Sequence, residues 1–202
     1  MLRTIEARAQ AAVLTLWIVV AVAVADVYAH ANRLRLVQDA VDEQVPGVPL
    51  RLPTDVVNRA DAWVTIGLIA STLAFLLAAA AWLAFQYPVH RRLAADMTAW
   101  RASPRAGVAV WLVPVVNLLA PAVLLAALLR AAARPAPLLV ALWWICWVGT
   151  TVLAGFATRN PEVLADQRLP DALAMGGDIL AAGAAVLAIG FVRRLADYAA
   201  SA

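Results

Sequence analysis

Trp111-Leu112-Val113-Pro114-Val115-Val116-Asn117-Leu118-Leu119-Ala120-Pro121 decides how many times this chain crosses a membrane. The stretch sits inside an apolar run from Ala106 to Leu129, and as one straight helix that run would reach about 36 Å, enough to span. Two prolines argue against a straight helix. Each leaves the carbonyl four residues earlier without its donor, Val110 for Pro114 and Asn117 for Pro121. Backbone left unpaired in this way is tolerated at membrane depth only where protein or a water-filled cavity covers it. Asn117, between the prolines, could supply replacement hydrogen bonds. The expectation is a broken segment at 106–129 that re-enters on the side it came from, with a kinked fifth span as the alternative.

The surrounding composition sets the class. Of 202 residues, 64% are hydrophobic, well above a soluble domain. The chain reads as an all-α integral membrane protein with the lipid bilayer as its first partner. All 16 basic residues are arginine, and a net charge of +3 spread along the chain excludes nucleic-acid binding. The single cysteine, Cys146, rules out an intrachain disulfide and offers no metal spacing. No Ser/His/Asp constellation or HExxH occurs, so neither an enzyme nor a cofactor is expected.

Four further apolar stretches flank the broken one. Residues 11–29 follow a short basic head, and an uncleaved first span is expected over a signal peptide because the run has full bilayer length. Residues 30–61 form an outer connection: Arg33 to Gln44 has helical composition, Pro46, Pro49 and Pro53 break it, and Thr54 and Asp55 suit an N-cap. The second span is 62–86, with Trp63 and Trp82 placed as interface anchors and Pro88 as its stop. Val89, Leu93, Met97 and Trp100 then share one helical face, which predicts an amphipathic interfacial helix over 88–101. A span at 137–157 carries Trp143, Trp144, Cys146 and Trp147. Asp171 reads as the cap of a last span, 172–192, in which Gly176, Gly183 and Gly190 recur every seven residues. Small residues at that spacing let helices approach closely, and would seat a membrane-protein partner or a second copy of the chain.

Arginine counts separate the two topologies. With five spans each side carries eight arginines; with four spans and a re-entrant segment the N-terminal side carries ten and the other six. The positive-inside rule favours the second arrangement, with both termini cytoplasmic in a bacterial cell membrane.

Trp111, Pro114, Asn117, Leu118 and Pro121, preceded by Ser103-Pro104 and followed by Trp143-Trp144 and Trp147, resemble a W-x-x-P-x-x-N-L-x-x-P … W-W-x-x-W signature. It belongs to an actinobacterial family of multi-spanning membrane proteins, domain of unknown function 4328. The resemblance covers roughly residues 60 to 195. It implies a membrane architecture and no established activity. This sequence departs from the family's pattern in two places. Ala122 to Leu129 is wholly apolar where polar residues are usual, and Tyr87-Pro88-Val89-His90-Arg91-Arg92 replaces an arginine- and asparagine-rich stretch.

Two groups of residues are candidate sites. Trp143 and Trp147, one turn apart, could stack on Trp111 and cover the break around Pro114, Asn117 and Pro121, with Trp144 beside them; this is a packing cluster first and a ligand pocket by extension. Asp26, with His30 one turn later, and Asp178 lie at similar depth near the outer leaflet. Intramembrane carboxylates of this kind can bind a cation or carry protons. The expected function is a structural or partner-binding membrane component, with a small transporter or channel component as the alternative.

Overall fold

The computed structural model describes residues 2–42, 53–94, 103–157 and 168–201. Among these residues the chain forms seven helices: α1 (Leu2–Asp42), α2 (Thr54–Leu93), α3 (Pro104–Ala109), α4 (Pro114–Asn117), α5 (Ala120–Ala131), α6 (Pro137–Ala157) and α7 (Arg168–Ser201). Four of them, α1, α2, α6 and α7, are long and apolar enough to cross a membrane. The run 106–129 is not a fifth: it is cut into short pieces, and the longest, α5, has 12 residues and covers about 18 Å.

The prolines explain where the cuts fall. Pro104, Pro114 and Pro121 each stand in the first turn of α3, α4 and α5. A first-turn proline removes an N–H that no helical carbonyl was waiting for, and its fixed φ suits a helix start. The chain therefore restarts a helix at each proline instead of forcing one through it. Ser103 completes the start of α3, its hydroxyl accepting from the backbone N–H of Ala106 at 3.3 Å.

Cross-helix bonds give the direction of each long helix. Arg8, early in α1, reaches Ala84, late in α2. Arg33 reaches Asp61, early in α2, His30 meets Asp171 at the start of α7, and Thr150 of α6 donates to the Gly177 carbonyl of α7 at 3.2 Å. The four helices alternate up and down, with α1 packed along α2 and α7, and α7 along α6. The start of α1, the end of α2, the start of α6 and the end of α7 share one end of the bundle, termed here the near end. The broken segment leaves α2 and rejoins α6 at that end. Its α5 plugs the bundle there: Leu124, Leu125, Leu128 and Leu129 are fully buried in one core with Ile5, Phe85 and Leu195.

Several boundaries differ from those the sequence predicts. α1 runs unbroken through the first span to Asp42, absorbing half of the outer connection. At the start of α2, Pro53 takes the cap position and Thr54 and Asp55 fall in the first turn, with no side-chain cap. Pro88 does not stop α2, which continues to Leu93. The carbonyl that Pro88 leaves without a donor is that of Ala84, and the Arg8 guanidinium donates to it at 3.1 Å. Val89 and Leu93 of the expected interfacial helix thus belong to α2, while its Met97 and Trp100 lie outside the described residues. Asp171 is no cap, because α7 begins three residues earlier at Arg168.

The small-residue face of α7 is also spent differently. A Cβ at Gly176 would stand 3.1 Å from Leu153 of α6, and Gly183 lies against the Cys146 sulfur. These glycines seat α6 of the same chain, so they are not a free docking face for a partner; only Gly190 has open space around it.

Candidate functional site

Trp111 follows α3, where the chain turns toward Pro114, and its ring stands at the centre of an aromatic cluster. It meets Trp82, Trp143 and Trp147 edge-on, at centroid distances of 5.8, 6.0 and 6.5 Å. Trp143 and Trp147, one turn apart on α6, stack at 6.1 Å. Phe75 of α2 stacks on Trp147 at 5.6 Å, and Phe191 of α7 meets Trp143 edge-on at 6.4 Å. Edge-to-face and offset-stacked pairs of this kind add attraction beyond the area they bury.

Trp82 belongs to this cluster and is not an interface anchor; only 7% of it is exposed. The sequence carries a signal for that placement. Ala78, Trp82, Phe85 and Val89 fall at i, i+4, i+7 and i+11 on one helical face, and all four are buried. Trp63, at the opposite end of α2, is well exposed.

Trp144 points elsewhere. Its indole N–H donates at 2.5 Å to the carbonyl of Leu118, at the junction of α4 and α5. The side-chain bond that covers the break therefore comes from Trp144. Asn117, expected to supply it, instead keeps its backbone N–H on the Val113 carbonyl at 2.7 Å, while its side-chain oxygen is buried without a hydrogen-bond partner. Pro121 is buried beneath the same junction.

A crevice opens beside the aromatic cluster. It has a volume of about 500 Å³ and draws its walls from all four long helices and the broken segment. Leu16 and Val19 of α1 and Ala181, Ala184, Ala185 and Ala188 of α7 contribute to its lining, with Trp111, Leu112 and Asn117 from the broken segment. No charged side chain lines it. Three of the bundle's four seams are closely packed; the fourth, between α2 and α6, is bridged by the Phe75–Trp147 stack.

The acidic candidates lie toward the far end of the bundle. Asp26 is buried and accepts a hydrogen bond from Ser71 of α2. Its carboxylate rests on Gly67, where a Cβ would come within 1.9 Å of Oδ1. Asp178 is within electrostatic reach of both Asp26 and His30. His30 itself is taken by Asp171, Nδ1 to Oδ1 at 2.8 Å. Arg33 completes that group: Nε donates to both Asp171 oxygens at 3.1 and 3.0 Å, and Nη1 to Asp61 at 3.0 Å. Asp171 is fully buried and Asp61 is half exposed, so the inner half of this network is held away from water.

The sequence reading missed Arg33 and Asp171 as a pair. Their separation of 138 residues leaves no local pattern to find. Among the described residues, no group of three or more His, Cys, Asp or Glu side chains is placed to hold a metal ion.

Comparison with curated proteins and with solved structures finds no match to this chain. A family model does match, over residues 49–197, a range that holds α2, the broken segment, the tryptophans of α6 and most of α7. The chain with its four membrane-length helices, its proline-cut segment and its aromatic cluster belongs to the family described as Domain of unknown function (DUF4328).

Proposed function

We propose that this protein is a structural, partner-binding component of a bacterial cell membrane, working by what it seats and not by catalysis. The observation that carries this reading is the crevice along the α2–α6 seam. A bundle built only to be stable would close its fourth seam as it closes the other three, because filled space gains dispersion contacts that a void forgoes. Here the walls are left apart around about 500 Å³ of apolar space.

In this reading the broken segment is re-entrant. It dips from the near end to the depth of Trp143 and Trp147 and returns, with the Trp144 bond to Leu118 covering its exposed backbone. The near end faces the cytoplasm with both termini. Among the described residues it carries Arg8, Arg91, Arg92, Arg105, Arg130, Arg134, Arg193 and Arg194 against Glu6 and Asp197.

The experiment is purification from native membranes under mild detergent, comparing the wild type with Thr151→Phe, which narrows the crevice from α6. A component bound in stoichiometric amount to the wild type and lost from the variant is expected. A wild-type protein that purifies with nothing bound would sink the reading.

A transporter or channel component is the second reading, favoured by one observation. Asp26 and Asp178 approach each other across α1 and α7, and neither forms an ion pair with a basic side chain among the described residues. Intramembrane acids so placed can carry a proton or cation. Asp26→Asn and Asp178→Asn abolish flux in reconstituted vesicles under this reading and leave binding at the crevice untouched under the first.

A further inference from the structure

We propose that the crevice between α2 and α6 holds an acyl chain of an anionic phospholipid, with the phosphate resting on arginines at the near end. The inference rests on the binding reading above and names the occupant.

The walls specify an apolar, slender guest. The lining is mostly apolar and holds no charged side chain, so a charged group entering it would lose water without a counter-charge. The indole N–H groups of Trp82 and Trp111 and the Asn117 side-chain oxygen are its few unpaired polar atoms. The seam faces the hydrocarbon of the bilayer, which is the immediate source of flexible chains. A partner's membrane helix does not fit. At about 10 Å across it occupies roughly 400 Å³ for each 5.4 Å turn, so the space of about 500 Å³ would hold little more than one turn. A single chain can thread between the alanines of α7 and the rings of Phe75 and Trp147.

Charge supplies the head of the guest. Arg91 and Arg92 stand at the end of α2, and Arg130 and Arg134 lead into α6, so basic groups flank the seam from both sides. None of the four pairs with a carboxylate among the described residues. At the far end Arg33 is bound to Asp171 and Asp61, while Arg59 and Arg168 form no ion pair among the described residues. Unpaired guanidinium groups are thus more numerous at the near end, and a guanidinium fork matches phosphate oxygens geometrically. The depth is consistent: Trp143 lies six residues past Pro137, about 9 Å along α6, so a chain among the rings leaves its head at the level of the arginines.

The test uses the full-length protein, stripped of lipid in detergent and reconstituted in vesicles of equal phosphatidylglycerol and phosphatidylcholine. After re-extraction, native mass spectrometry counts the phospholipids retained on each chain. We expect one phosphatidylglycerol retained, preferred over phosphatidylcholine roughly tenfold, since each arginine near an anionic lipid contributes about 1 kcal/mol. Thr151→Phe and Ala79→Phe, which narrow the crevice from opposite sides, should lose the retained lipid of either kind. Arg130→Gln with Arg134→Gln should keep one lipid and lose most of the preference. Unfolding temperatures of all variants show which are intact, and Ala79→Phe and Thr151→Phe serve as substitutes for each other if one fails to fold. Equal retention by a folded, narrowed variant overturns the site, and equal retention of both lipids by the wild type overturns the charge assignment. A stoichiometric protein found in place of lipid overturns the inference and leaves the binding reading standing.

Discussion

The guanidinium of Arg8 donates to the carbonyl of Ala84 at 3.1 Å, and Ala84 is the residue whose helical donor Pro88 removes. One helix thus repairs the backbone of another. Arg8→Ala should lower stability by about 0.5–1.5 kcal/mol, the ordinary net worth of a hydrogen bond, because this one is exposed. In a Pro88→Ala background the carbonyl regains its own N–H, and the same substitution should cost little. Thermal unfolding in detergent of the four proteins in this cycle measures the coupling; equal costs in both backgrounds would show that Arg8 acts by other means.

Asp171 and Asp61 share one arginine from very different surroundings. Asp171 is fully buried, whereas Asp61 is half exposed. Asp171→Asn leaves Arg33 with Asp61 as its only carboxylate among the described residues and puts a neutral amide in the buried position, and should cost about 1–3 kcal/mol. Asp61→Asn should cost less than about 1 kcal/mol, as exposed pairs do. Unfolding midpoints compared at one pH decide this, and similar losses would contradict the burial order.

Trp144→Phe removes the donor to the Leu118 carbonyl and keeps most of the ring. The carbonyl is then left bare at the α4–α5 junction, for a cost of about 1–3 kcal/mol. Amide exchange should rise around residues 117–121 before it rises in α6. Uniform change across the bundle would mean that the bond does not hold the break.

Gly107 allows α3 to lie on the His90 ring, since a Cβ there would fall 2.4 Å from Nδ1. Gln86 holds the same glycine by its carbonyl at 3.0 Å. Gly107→Ala should push α3 off α2 and destabilise by about 1–3 kcal/mol, the range for overpacking. An unfolding temperature unchanged from the wild type would place the His90 ring elsewhere.

Labelling fixes the course of the broken segment. In a Cys146→Ala background, Arg105→Cys and Arg134→Cys should react with a membrane-impermeant thiol reagent from the same side, and Asp61→Cys from the other. Opposite labelling of Arg105→Cys and Arg134→Cys would make the segment a span.

The parts of this fold that sequence reveals are those governed by local pattern. Apolar runs of bilayer length locate α1, α2, α6 and α7, and the spacing of Pro114, Asn117 and Pro121 marks the segment that cannot be one of them. The stack of Trp143 on Trp147 follows from one helical turn. Trp82 carries a readable face, but its position near the end of an apolar run points equally to an interface. Arg8, Arg33 and Asp171 could not be read, because each acts across a helix pair whose register only packing sets. Pro88 illustrates the same limit: a proline stops a helix unless something distant takes the orphaned carbonyl, and that partner lies 80 residues upstream.

The length of α1 has a consequence of its own. Its 41 residues extend about 60 Å, twice the hydrocarbon thickness of a bilayer. The apolar part ends near Ala29, so the helix carries on for roughly 20 Å through Asp42, with Val37 still buried. The chain therefore raises a stiff post above the headgroups. Anything that grips its tip is held at a set height over the membrane, and lengthening α1 by whole turns would move that grip outward in steps of about 5.4 Å.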